Sequence, residues 1–264
     1  MLDNLLFVVF PYVAVAVAVV GTVYRYITNQ FSFTSLSSEF LESDLQFWGS
    51  TLWHYGIIPT LVIHMMGFTV PKVMELLHGT PETLYLAELA GKIMGIMALA
   101  GALILLYRRL SLSKIRVVTT PADWVVIALL INQVVLGLWI AFGYRWGATW
   151  FVHTVTPWVV SLATFQPAPQ FVSALPLVPK LHFLNATLLI LLFPFTRLIH
   201  MITVPVEYLW RSFQRVIWTR RKVAYEAFMW NKAASAIQNG IRDLFPAYFA
   251  LVMATGIVSI ACHL

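Results

Sequence analysis

Five long apolar runs dominate this chain, over residues 5–24, 47–70, 84–107, 122–143 and 177–203. Each holds the ~20 residues that an α-helix needs to cross the hydrocarbon core of a bilayer. In that medium every backbone N–H and C=O must be bonded within the segment, so such runs are helical. A sixth, weaker run covers 245–261. The expected fold is all-α: an integral-membrane bundle of five transmembrane helices plus a sixth at the C-terminus. Charged residues make up 11% of the chain, against about 25% in soluble domains. That deficit fits a chain whose main solvent is lipid. The expected organisation is a transmembrane domain over 1–210, then a basic cytoplasmic segment and the extra helix over 211–264.

The single cysteine, Cys262, excludes a disulfide framework. It also excludes an iron–sulfur cluster bound by this chain, which takes about four thiolates, and a covalent haem site of the CxxCH type. The net charge of +6 raises the question of nucleic acid. The positions of the charges answer it. With the N-terminus outside, the inner connections carry Arg25, Arg108, Arg109, Lys114, Arg116, Arg211, Arg215, Arg220, Arg221, Lys222, Lys232 and Arg242, twelve in all. The outer ones carry three: Lys72, Arg145 and Lys180. This is the asymmetry of a multi-pass protein of the cell inner membrane, and it leaves no nucleic acid among the partners. The N-terminus has Asp3 and no basic residue before Leu5, so the first run is expected as a retained helix rather than a cleaved signal. The connection 143–176 is rich in Trp, Pro and Phe and belongs at the outer interface, where aromatic rings are favoured. The stretch 206–229 mixes aromatics with arginines and reads as an amphipathic segment on the inner face.

Four of the seven histidines fall inside these runs: His54 and His64 in the second, His182 and His200 in the fifth. Ionisable groups in lipid are costly and usually functional. At ~1.5 Å rise and ~100° per residue, His54 and His64 stand roughly 15 Å apart on broadly one side of a helix. His182 and His200, five full turns apart, point the same way about 27 Å from each other. The two helices run in opposite directions. His54 and His200 therefore both lie toward the inner face, and His64 and His182 toward the outer. Two stacked pairs of neutral imidazoles are suited to holding two b-type haems inside a bundle. The spacings differ by ~12 Å, which helix tilt must absorb, and spacing alone leaves the pairing open. The alternative is interhelical hydrogen bonding, which explains one such histidine more easily than four. Zinc wants four ligands at one centre, and these are spread along the membrane normal. His78, His153 and His263 lie in loops or at the terminus and read as surface residues.

Several cations accompany the histidines. Arg197 lies one turn before His200, and Arg109 sits at a similar depth. Each either grips a haem propionate bidentately or anchors the inner interface. Lys92 follows Glu88 by one turn. Either the two form an i,i+4 pair, or Lys92 serves a quinol or a propionate. Pro194 is expected to kink the fifth helix.

The stretch Leu192-Phe193-Pro194-Phe195-Thr196-Arg197-Leu198-Ile199-His200, followed by Val204-Pro205-Val206-Glu207-Tyr208-Leu209, closely resembles the gamma subunit of membrane-bound respiratory nitrate reductase. The related nitrite oxidoreductase membrane subunit is included in that resemblance. Leu181-His182, the ten-residue spacing of His54 and His64, and Thr119-Thr120-Pro121-Ala122-Asp123 resemble it too. The likeness runs from about Pro11 to Leu209. It implies a dihaem cytochrome b, with His54 and His200 on the haem near the cytoplasmic partner and His64 and His182 on the distal one. It implies quinol drawn from the quinone pool and oxidised at the outer side near the distal haem, that of His64. Electrons then pass through the haems to an iron–sulfur beta subunit and on to a molybdenum alpha subunit that reduces nitrate. This makes the chain a quinol-oxidising electron-transfer subunit, with the nitrate chemistry on another chain. Two departures stand out. The chain continues to Leu264, and the approach at 80–86 lacks the lysine associated with the family's quinol site. They keep two other functions in play: a nitrite oxidoreductase subunit running electrons the other way, and a haem-free membrane anchor.

Overall fold

The computed structural model describes residues 2–35, 38, 41–144 and 147–202. The sixth run at 245–261, the stretch 206–229 and the boundary placed at 210 lie outside the described residues. Within them there is no strand. Five long helices organise the chain: α1 (Phe10–Asn29), α2 (Asp44–Thr69), α3 (Pro81–Ser111), α4 (Pro121–Gly143) and α5 (Leu177–Leu192). Segments containing α1, α3, α4 and α5 are long and apolar enough to cross a membrane. Helix α2 has the length, 26 residues, but His54, His64 and several hydroxyl side chains dilute its apolar character. The polarity of the candidate ligands is what sets this helix apart from the other four.

Burial is inverted relative to a soluble domain. Val20, Ile27, Ile96 and Leu103 are exposed, whereas Arg108, Asp123 and Asn185 are buried. Apolar side chains outside and satisfied polar ones inside are what a lipid solvent selects.

Two helix starts are written in the sequence. Thr80 and Thr120 cap α3 and α4, each with proline at the next position and a reciprocal capping box. At α4, Thr120 Oγ1 accepts from Asp123 N, and Asp123 Oδ2 accepts from Thr120 N at 2.9 Å. Proline there lacks only an N–H that would be unpaired anyway, and the carboxylate suits the positive end of the helix dipole.

Helices α2 and α3 form an antiparallel hairpin at close range. A Cβ on Gly56 would lie 2.5 Å from Met94 O, and one on Gly101 would lie 2.7 Å from Gly49 O. Only glycine permits that approach, and small residues at such contacts are the usual basis of helix pairing in lipid. Helix α4 packs on α3 and α5, and α5 packs on α1. At the far end of this ring Gly21 of α1 admits the Pro194 ring, since a Cβ there would sit 2.8 Å from Pro194 Cγ.

The aromatic connection after α4 folds into short helices at Gly147–Trp150, Phe151–Val155, Thr156–Ala163 and Gln170–Ser173. Its Val155, Trp158 and Val172 form an apolar core with Phe7. Trp158 Nε1 donates to Phe7 O at 2.9 Å, within a π turn (Leu5–Val9) where the regular helical ladder is interrupted.

The fifth run, expected as one helix to residue 203, is not continuous. Helix α5 ends at Leu192, a 3₁₀ turn covers Phe193–Phe195, Thr196 is extended, and a second 3₁₀ turn covers Arg197–Met201. Pro194 has no N–H to give to the ladder, and its ring clashes with the preceding turn. The helix therefore breaks rather than bends. His200 sits on the second turn, free of the phase that α5 imposes on His182.

Candidate dihaem site

The inner pair is brought together. The rings of His54 and His200 have centroids 6.3 Å apart and planes at 76°. His54 Nδ1 donates to Ser50 O at 2.7 Å, and His200 Nδ1 donates to Arg197 O at 2.6 Å. A carbonyl only accepts, so Nδ1 carries the proton and Nε2 the lone pair of each neutral ring. Carbonyl partners of this kind fix the orientation of metal-binding imidazoles. The separation tests the fit directly. A metal–imidazole bond of ~2 Å, plus ~1 Å from nitrogen to ring centre, on both sides, requires centroids ~6 Å apart. The two rings stand at that distance, so their separation matches that of two imidazoles sharing one iron.

The outer pair is arranged differently. His64 Nδ1 donates to Thr60 O at 2.7 Å, and the ring meets Phe151 edge-on at 5.7 Å. His182 lies against α4, where Gly137 leaves it room: a Cβ there would be 3.2 Å from His182 Cε1. Its Nε2 meets Gln133 Nε2 at 3.2 Å, while its Nδ1 is buried with no hydrogen-bond partner among the described residues. The amide nitrogen of Gln133 can only donate, so Nε2 accepts and the unpartnered Nδ1 carries the proton; a buried N–H without an acceptor costs ~1–3 kcal/mol. A chain of amides backs this histidine. Asn185 Nδ2 donates to Gln133 Oε1 at 2.7 Å and to Leu129 O at 3.0 Å, and Asn132 Nδ2 donates to Asn185 Oδ1 at 2.9 Å. No cluster of three or more His, Cys, Asp or Glu suited to a metal ion occurs among the described residues.

The two candidate arginines gather at the end of the bundle where His200 lies. Arg197 Nε pairs with Asp123 Oδ1 at 2.8 Å, and its Nη2 donates to Val118 O. Arg109 Nη1 donates to Leu105 O at 3.2 Å and lies near both Asp123 and Arg197. Sequence reasoning did not pair Arg197 with Asp123. The carboxylate at the third position of α4 was the available signal.

Two other arginines, counted in the sequence only as inner-face charges, are built into the fold. Arg108 is buried. It pairs through Nε with Glu42 Oε2 at 2.5 Å, and also donates to Ser38 Oγ, Ser38 O and Glu42 O. Arg25 donates to Pro194 O at 2.6 Å and Thr196 O at 3.0 Å, and to the hydroxyl and carbonyl of Ser32. It thereby satisfies carbonyls released by the break in the fifth run. Lys92 Nζ lies 4.0 Å from Glu88 Oε2 and 5.6 Å from the Phe142 ring centre, so the i,i+4 pair exists as a contact.

Comparison with known proteins adds an independent line. A family model described as nitrate reductase gamma subunit matches residues 3–219. The nitrate reductase gamma chain of Bacillus subtilis is 33% identical over 229 residues, covering 84% of this chain and all of that protein. The respiratory nitrate reductase 1 gamma chain of Escherichia coli is 35% identical over 218 residues, covering 81% and 97%. A more distant relative, the Hdr-like menaquinol oxidoreductase cytochrome b-like subunit of Archaeoglobus profundus, is 26% identical over 155 residues, covering 56% and 44%.

Proposed function

Because the chain belongs to the nitrate reductase gamma-subunit family, we propose that it is the dihaem cytochrome b of such an enzyme. Membership makes it a multi-pass membrane subunit of an oxidoreductase complex. In the proposed reading His54 and His200 hold the inner haem, and His64 and His182 hold the outer one. The haems supply one-electron carriers across the membrane. This chain's residues hold the groups, exclude water from them and bind quinol at the outer side, with Lys92 and His64 nearest to it. Arg197 and Arg109 supply positive charge for the inner propionates. The partners are an iron–sulfur beta subunit and a molybdenum alpha subunit on the cytoplasmic face, and the N-terminus is outside. The single observation that carries this reading is the His54–His200 centroid separation of 6.3 Å. The archaeal relative's name, which joins menaquinol with cytochrome b, supports the quinol side of it.

The haem content of the purified complex tests the proposal. Two haems b per chain are expected by pyridine haemochrome assay, with one remaining after His54→Ala or His200→Ala. A wild-type complex without haem would leave a membrane anchor and end the dihaem reading. Direction of flow is a separate measurement: quinol, rather than nitrite, is expected to reduce the haems.

A further inference from the structure

Glu88 is an ionisable side chain within α3, at a position where lipid makes such groups costly and usually functional. Its Oε2 faces Lys92 Nζ at 4.0 Å, the far limit of an ion pair. Its Oε1 is buried and meets no hydrogen-bond donor among the described residues. An ionised carboxylate has ~4 lone-pair sites to satisfy, and leaving an oxygen buried without a donor costs ~1–3 kcal/mol or more. A purely structural i,i+4 pair does not account for that oxygen. The side chain is also 21% exposed, so part of it is accessible to a small molecule.

The hairpin register gives its depth. Gly49 faces Ile104 and Leu105, Gly101 faces Trp53, and Gly56 faces Met94 and Ala98. Continued outward, this antiparallel register brings Glu88 level with residues 64–66 of α2. The carboxylate thus shares the layer of His64. On its own helix it faces Lys92.

The geometry points to Glu88 as the proton acceptor in quinol oxidation, in the layer of His64. The inference rests on the proposed quinol oxidation. A quinol that becomes a quinone loses two electrons and two protons. In each half of the reaction a quinol O–H bond breaks, an O–H bond to Glu88 forms, and one electron leaves for the haem that His64 and His182 would hold. The proton then passes to outer water, which restores the carboxylate before the second half. A positioned general base contributes a factor of ~10²–10⁴.

The test compares the full complex as wild type, E88Q and E88D, with a short-chain naphthoquinol as the donor. In E88Q the rate of haem reduction by quinol is expected to fall ~100-fold, and E88D is expected to recover part of it. Haem content, absorbance spectrum and nitrate reduction driven by a reduced dye are expected to stay unchanged. Redox-induced infrared difference spectra are expected to show a carboxyl signal in wild type that is missing in E88Q. Wild-type rates in E88Q overturn the proposal, and so does loss of haem in that variant, which makes the carboxylate structural. If quinol fails to reduce the haems of the wild type, the proposed function itself falls and takes this role with it.

Discussion

The guanidinium of Arg25 donates to the main-chain oxygen of Pro194 at 2.6 Å, tying the C-terminal end of α1 to the break in the fifth run. The same Nη1 reaches Thr196 O at 3.0 Å. A broken helix in lipid needs new partners for its carbonyls. Arg25 provides them just before the 3₁₀ turn that carries His200. Arg25→Ala is expected to remove charge-assisted hydrogen bonds worth ~1.5–3 kcal/mol each and to loosen the His200 segment. Haem analysis of that variant should show loss at the inner position only. Full retention of both haems would show that Arg25 does not position His200.

For the outer position, His64→Ala is expected to remove one haem and quinol-driven activity while subunit docking survives. Co-purification of the partner subunits, read together with a haemochrome assay, checks both halves. Two haems retained in that variant would refute the ligand assignment.

The amide chain behind His182 makes a separate prediction. Gln133 bridges Asn185 and His182, so Gln133→Leu breaks a buried network. Removing one partner of a buried polar pair costs ~1–3 kcal/mol. Gln133→Leu is expected to lower thermal stability and to shift the midpoint potential of the outer haem, while Gln133→Asn does less. A potential unmoved by Gln133→Leu would confine this residue to packing.

The hairpin of α2 and α3 depends on Gly56 and Gly101, where backbones meet. Overpacking at such contacts costs ~1–3 kcal/mol, so Gly56→Ala should lower the detergent-solubilised Tm by several degrees. Gly91, whose surroundings are open, is the control: Gly91→Ala should leave Tm almost unchanged or raise it. Equal Tm values for the two variants would contradict the close approach.

The Glu42–Arg108 pair predicts an acid-sensitive contact. Burial pushes the Glu42 carboxyl up, but bonds from Leu45 N and from Arg108, with the nearby guanidinium charge, outweigh it and hold the group below its usual value. A depressed carboxylate contributes stability above its unfolded pKa of ~4.3, and that contribution is lost as pH falls through the lower folded value. Thermal unfolding of wild type should therefore weaken below about pH 4 more steeply than that of Glu42→Gln. Parallel pH curves would remove the pair from the acid response.

Much of this was legible in the chain. Apolar length marked the helices, because lipid forces backbone bonds inside each segment. Thr120, Pro121 and Asp123 marked the start of α4 through local capping. Asn132, Gln133 and Asn185 were visible as amides within apolar runs, yet their mutual partners were not, since they join helices more than fifty positions apart. The burial of Arg108 was invisible for the same reason: charge count and loop position gave it an interfacial role, and its contacts come from Ser38 and Glu42.

The four histidines show the division most clearly. Sequence alone placed two pairs of imidazoles in long apolar runs, because hydropathy and helical rise are local properties. It also carried the family, through the motif around His200. The tertiary structure decided how His54 and His200 come within 6.3 Å. A uniform fifth helix would have left the ligand spacings ~12 Å apart. Pro194 ends that helix, Gly21 admits its ring, and Arg25 binds the released carbonyls. Each of these contacts joins the first segment to the fifth, and such pairings are set by packing rather than by the local pattern of either segment.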